Sequence, residues 1–171
     1  MPAHFWHVLL GLAVVVVPAA IIVAFNRHDR AVLAGTVRSR PRPSGPTMAV
    51  AAASAGAGLV HALVCPEHFR EALSYGLFFA LAASAQVAWA WLAWRGLTTR
   101  LLWWALLGNA AVIALWAVTR TVGLPIGPEP GVAEAVGGAD LVACALELYV
   151  VAAAALALSG ARPIVVEACA D

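Results

Sequence analysis

The chain has 171 residues, of which 63% are hydrophobic and 11% are charged, and its mean hydropathy is +0.90. Soluble domains are about 45–50% apolar and about 25% charged, so a soluble fold of this chain would expose a mostly apolar surface, whereas lipid accepts apolar helix faces. The net charge of +1 and the scattering of the ten arginines exclude a nucleic-acid partner, which requires clustered positive charge. The composition therefore predicts an integral membrane protein whose main partner is the lipid bilayer.

Five apolar runs are long enough to cross a bilayer, which takes about 20 helical residues. The first run, 5–25, is not preceded by the positively charged segment of a signal peptide and is interpreted as a retained helix. The four other runs are 48–65, 73–94, 101–118 and 139–158. We therefore expect an all-α integral membrane bundle of five transmembrane helices, forming a single transmembrane domain over residues 1–171.

Two long connections separate these runs and set the expected orientation. Residues 26–47 contain five arginines and are predicted to form a basic cytoplasmic loop, because cytoplasmic loops are enriched in positive charge. Residues 119–138 contain three prolines and five glycines and are predicted to form an outer loop. This arrangement puts eight of the ten arginines inside, so we expect the N-terminus outside and the C-terminus inside, in the cytoplasmic (plasma) membrane of a bacterium.

Ionisable side chains concentrate at the predicted outer end of the bundle. His61, Cys65 and His68 follow i, i+4 and i+7 spacing, which places them on one face of a continuous helix. Pro66 is expected to interrupt that helix, so that His68 begins a new turn. The same spacing recurs in the last predicted helix, at Asp140, Cys144 and Glu147.

These positions point to a binding site. An ionisable side chain inside the hydrocarbon costs about 2.5–3.5 kcal/mol and is retained when it pairs with another group or binds a ligand. Imidazole and carboxylate groups are ligands for zinc and other divalent metals. The sequence therefore predicts a site for a divalent metal or a small polar ligand at the outer end. Its candidate ligands are His61, His68, Glu71, Asp140 and Glu147.

A polar network is predicted beside this site. Arg120 is the expected cation for Glu147 or Asp140. Gln86 and Asn109 lie in the middle of apolar runs, so their amides are expected to bond each other or a neighbouring helix. The structural alternative is that His61 bonds Glu147 or a backbone carbonyl and ties two helices together with no ligand at all.

Three classes of function remain open at this point. The first is a module that binds a metal or small polar ligand, and the second is a non-catalytic accessory subunit of a larger membrane complex. The third is a membrane metal-dependent hydrolase or a b-type haem protein with His7 and His61 as axial ligands. The sequence has no H-E-x-x-H, G-x-S-x-G or C-x-x-C-H motif, so no catalytic residue is assigned and the balance is against an enzyme.

Two stretches carry a resemblance to other proteins. The stretch 61–86 includes Pro66-Glu67-His68-Phe69 and Tyr75-Gly76-Leu77-Phe78-Phe79, and the stretch 109–147 includes the turn-rich segment 119–128. Together they resemble a family of small multi-pass membrane proteins of high-GC bacteria with no assigned activity. The resemblance covers about half of the chain and implies membrane embedding, but it implies no cofactor, partner or site residue.

Overall fold

The computed structural model describes residues 43–160, which form four α-helices and no β-strand. The helices are α1 (Gly45–Glu71), α2 (Leu73–Arg95), α3 (Thr99–Thr121) and α4 (Gly138–Leu158). Each is long and apolar enough to cross a membrane. The four predicted spans within the described range are thereby confirmed as helices. The predicted helix 5–25 and most of the basic loop 26–47 lie outside the described residues, so the fifth helix and the orientation stay predictions.

The ends of α1 differ from those predicted. The helix begins at Gly45 because Ser44 caps it, its hydroxyl accepting a hydrogen bond from the Thr47 backbone N–H, and because Pro46 needs no partner in the first turn. At the other end α1 continues through Pro66 to Glu71, so the expected interruption is wrong. A proline removes one donor from the ladder, and the turns on either side of it remain hydrogen-bonded. The Ala72 N–H donates to the His68 carbonyl and closes the last turn.

The helices pack in the order α2, α1, α4, α3. α1 contacts both α2 and α4, α4 contacts α3, and of the helix pairs in contact α2 and α3 have the smallest contact. Gly58 shows how closely α1 and α2 approach, because a Cβ at this position would lie 3.0 Å from the Ala83 carbonyl oxygen and from a methyl group of Val87. A small residue at this position therefore lets the neighbouring helix approach closely.

The apolar core occupies one end of the bundle. Its largest buried members, such as Val50, Trp89, Leu102 and Val150, come from the start of α1, the end of α2, the start of α3 and the end of α4. The opposite end carries the connection 122–137 between α3 and α4, and we call it the loop end. The middle of the bundle and its loop end therefore depend on contacts other than this core.

Candidate functional site

The middle of the bundle contains a buried layer of four polar side chains, one from each described helix. These side chains, which we call the polar layer, are His61, Gln86, Asn109 and Glu147. All four are buried, and Glu147 is only 1% exposed. A polar group enclosed in a membrane bundle is costly unless it finds a partner, so the hydrogen bonds of this layer decide whether it is stable.

Glu147 is the centre of these hydrogen bonds. Its Oε1 accepts from Nε2 of Gln86 at 2.8 Å and lies 2.9 Å from Nε2 of His61. With Glu147 ionised, the imidazole nitrogen is the donor. Nε2 of Gln86 also donates to Oδ1 of Asn109 at 3.2 Å, and Nδ2 of Asn109 donates to the Ala105 carbonyl at 2.8 Å. The layer thus joins all four helices, because Glu147 bonds His61 and Gln86 and Gln86 in turn bonds Asn109.

A second set of charges lies at the loop end. Arg120 donates from Nη2 to Oδ2 of Asp140 at 2.9 Å, and its Nη1 donates to Glu134. Asp140 also accepts from the Gly137 backbone N–H at 2.8 Å, which caps the start of α4. Of the two partners expected for Arg120, the structure shows Asp140. Glu147 lies deeper in the bundle and bonds His61 and Gln86 instead.

Of the five residues predicted as metal ligands, three lie in these two places and two lie in neither. His61 and Glu147 belong to the polar layer, and Asp140 binds Arg120. His68 bonds the Val64 backbone carbonyl through Nδ1 at 2.9 Å, and Glu71 ends α1 at the protein surface. Within residues 43–160 no group of three or more His, Cys, Asp or Glu side chains is placed to hold a metal ion, so the metal hypothesis gains no support. His7, required by the haem alternative, lies outside the described residues.

Between α2 and α3, at the loop end, there is a cleft of about 280 Å³ that we call the aromatic cleft. Tyr75, Phe78 and Phe79 of α2 line one side of it, and Trp116 of α3 lines the other. The centroid of the Phe79 ring also lies 3.8 Å from the centroid of the His68 ring and 5.5 Å from that of the His61 ring. Phe79 is therefore in contact with both the cleft and the polar layer.

The aromatic cleft opens into a wider space of about 640 Å³, which we call the acidic mouth. The two share lining residues, including Tyr75 and Arg120, so they form one continuous depression. Five carboxylate residues line the mouth. They are Glu67, Glu71, Glu129, Glu134 and Asp140.

The connection 122–137 covers this depression and is tied to the helices. The Tyr75 hydroxyl donates to the Ile126 carbonyl at 3.2 Å, and the Glu134 backbone N–H donates to the Thr119 carbonyl at 3.0 Å. Gly127 has a φ of 114°, and a Cβ there would overlap the Tyr75 phenol, so only glycine fits beside this anchor. The loop is therefore an ordered cover over the cleft.

The aromatic residues of α2 that line the cleft, which we call the aromatic wall, were not predicted from the sequence. Tyr75, Phe78 and Phe79 follow i, i+3 and i+4 spacing, which places them on one helix face. That spacing was the available signal, but the sequence does not show that α3 stands away from this face. Trp116 and Glu134, which complete the depression, were also left out of the predicted site.

Comparison of the chain with protein-family models, with curated proteins and with solved structures gave no match. The class of the protein therefore rests on its fold and composition. The described residues form an all-helical bundle with four helices able to span a membrane, compatible with a small polytopic membrane protein.

Proposed function

We propose that this chain is a small polytopic membrane protein that binds a small molecule in the aromatic cleft. The observation that carries the proposal is the cleft between α2 and α3, with aromatic walls, an ordered cover and a set of charged lining residues that it shares with its mouth. Ligand sites in proteins are typically concave and mostly apolar, with a few polar groups that fix orientation. The role proposed for the site is the binding of a ligand.

Filling the cleft is the direct test of this proposal. Val112 lines the cleft from α3, whereas Val118 is on the same helix, is 41% exposed and does not line it. In full-length protein in phosphatidylcholine nanodiscs, a neutral environment-sensitive naphthalene dye should bind saturably. We expect Val112→Trp to weaken its binding by about tenfold, which corresponds to about 1.4 kcal/mol, because the added indole occupies the space of the ligand.

The matched variant Val118→Trp introduces the same side chain on the lipid-facing side of α3 and should bind the dye as the wild type does. Equal binding of the dye by both variants would contradict the proposed function. Circular dichroism of each variant verifies that the helices are retained.

We propose further that the loop end faces the extracytoplasmic side of a bacterial cytoplasmic membrane. The support is the arginine bias of the whole chain, because five arginines precede α1 and two more, Arg95 and Arg100, lie at the end opposite the loop. A cysteine replacing Glu129 in the loop should react with an impermeant maleimide on intact cells. A cysteine replacing exposed Thr99 should react only after permeabilisation. The reverse labelling pattern would refute this orientation.

A further inference from the structure

The charges of the acidic mouth are largely uncompensated. Among the described residues that line the mouth, Arg120 is the only arginine, and it binds both Glu134 and Asp140. The three other carboxylates, Glu67, Glu71 and Glu129, take part in none of the ion pairs between described residues. The mouth therefore presents a negative potential to whatever enters the cleft, and its single guanidinium is already engaged by two carboxylates.

The aromatic residues that line the cleft also favour a positively charged ligand. Faces of Tyr, Phe and Trp rings attract cations, and they do so more strongly where water is excluded. Three aromatic residues of α2 and Trp116 of α3 line the cleft directly behind the carboxylates. Aromatic rings and carboxylates in one depression recognise an organic cation better than either group does alone.

The position of the cleft in the bundle indicates that such a cation would also carry a large apolar group. α2 and α3 are joined at their middle and at the core end by the Gln86–Asn109 bond and by the Trp89 indole, which donates to the Leu101 carbonyl at 2.8 Å. Toward the loop end they stand apart, and the cleft occupies the space between them. Exposed apolar side chains such as Leu77 and Val118 flank this region, so the cleft adjoins surface suited to lipid.

We propose that the occupant of the aromatic cleft is a lipophilic organic cation, with its charged head among the carboxylates of the mouth and its apolar body against the aromatic wall. This inference rests on the proposed function and specifies the class of ligand. A divalent metal ion does not meet the same description, because within residues 43–160 the carboxylates are not grouped as metal ligands. An anion would meet excess negative charge and an arginine already paired.

The test uses three dyes that share one naphthalene body and differ only in the head group, which is trimethylammonium, neutral or sulfonate. Full-length protein in phosphatidylcholine nanodiscs is titrated with each dye, and the nonspecific signal is taken from empty nanodiscs. We expect the trimethylammonium dye to bind about tenfold more tightly than the neutral dye, a difference of about 1.4 kcal/mol. The sulfonate dye should show no saturable binding.

A variant that removes two carboxylates tests whether the acidic mouth causes the preference for the cationic dye. Glu67 and Glu71 are exposed and make no ion pair with described residues, so the double variant Glu67→Gln/Glu71→Gln should fold normally. We expect it to weaken binding of the trimethylammonium dye by about three- to tenfold, since two charge pairs are lost and each exposed pair contributes modestly. Binding of the neutral dye to the same variant should not change, which makes it the internal control.

The outcomes separate this inference from the proposed function. Equal affinity for the neutral and cationic dyes, or unchanged cation affinity in the double variant, would overturn the cation inference while leaving the cleft as a binding site. If none of the three dyes binds more weakly to Val112→Trp than to Val118→Trp, the proposed function itself fails.

Discussion

Replacing Glu147 with alanine should lower the free energy of unfolding by about 3 kcal/mol, because removing one partner of a buried pair leaves the other uncompensated. Oε1 of Glu147 accepts from His61 and Gln86, so its removal takes the acceptor away from His61 Nε2 and leaves Gln86 Nε2 with only its bond to Asn109. The measurement is reversible unfolding in mixed detergent and dodecyl sulfate, followed by circular dichroism. Glu129→Ala, in the exposed loop, is the control and should change stability by less than about 0.5 kcal/mol.

A double-mutant cycle shows whether the loss arises from the pair itself. Once His61 is alanine, Glu147→Ala should cost less than it does in the wild type, because the two residues share one hydrogen bond. Glu147→Gln keeps an acceptor for both donors and should be less destabilising than alanine. If Glu147→Ala and Glu129→Ala have the same stability, the polar layer does not hold the bundle together as described.

Replacing Arg120 with alanine should release the loop 122–137 from the helices. The guanidinium joins the end of α3 to Glu134 in the loop and to Asp140 at the start of α4. Without it, two neighbouring carboxylates face each other with no counter-charge, and hydrogen bonds to charged groups contribute about 1.5–3 kcal/mol each. Hydrogen–deuterium exchange of the peptide spanning 122–137 should accelerate by about tenfold or more, as expected for a loss of at least about 1.4 kcal/mol in the local opening free energy.

Arg70→Ala provides the comparison for this prediction. Arg70 is exposed at the same end of the bundle, in the last turn of α1, and forms no ion pair between described residues. Its removal should leave exchange in the loop unchanged. Loop exchange as slow in Arg120→Ala as in Arg70→Ala would show that the loop is held by its backbone hydrogen bonds alone.

The helices could be predicted because a long apolar run has few other stable conformations in lipid. Their ends were harder to place, since they depend on particular groups, such as the Ser44 hydroxyl at the start of α1. Pro66 misled the prediction because its cost is local, while the turns around it keep their hydrogen bonds.

The partners of the polar residues could be predicted only as alternatives. Periodicity shows which residues share a face of one helix, but the face that meets another helix is set by packing. The sequence allowed Glu147 to pair with either His61 or Arg120, and the choice depends on α1 lying beside α4. The aromatic cleft could not be predicted for the same reason, because it depends on how α2 and α3 pack and exists only where they stand apart.

The placement of Glu147 in the last described helix has a consequence for biosynthesis. His61, Gln86 and Asn109 precede it along the chain, so all three leave the ribosome before the carboxylate that connects them. A nascent chain that has inserted α1, α2 and α3 therefore lacks the acceptor shared by the His61 imidazole and the Gln86 amide. Maturation of this network is necessarily a late event, completed when α4 enters the bilayer.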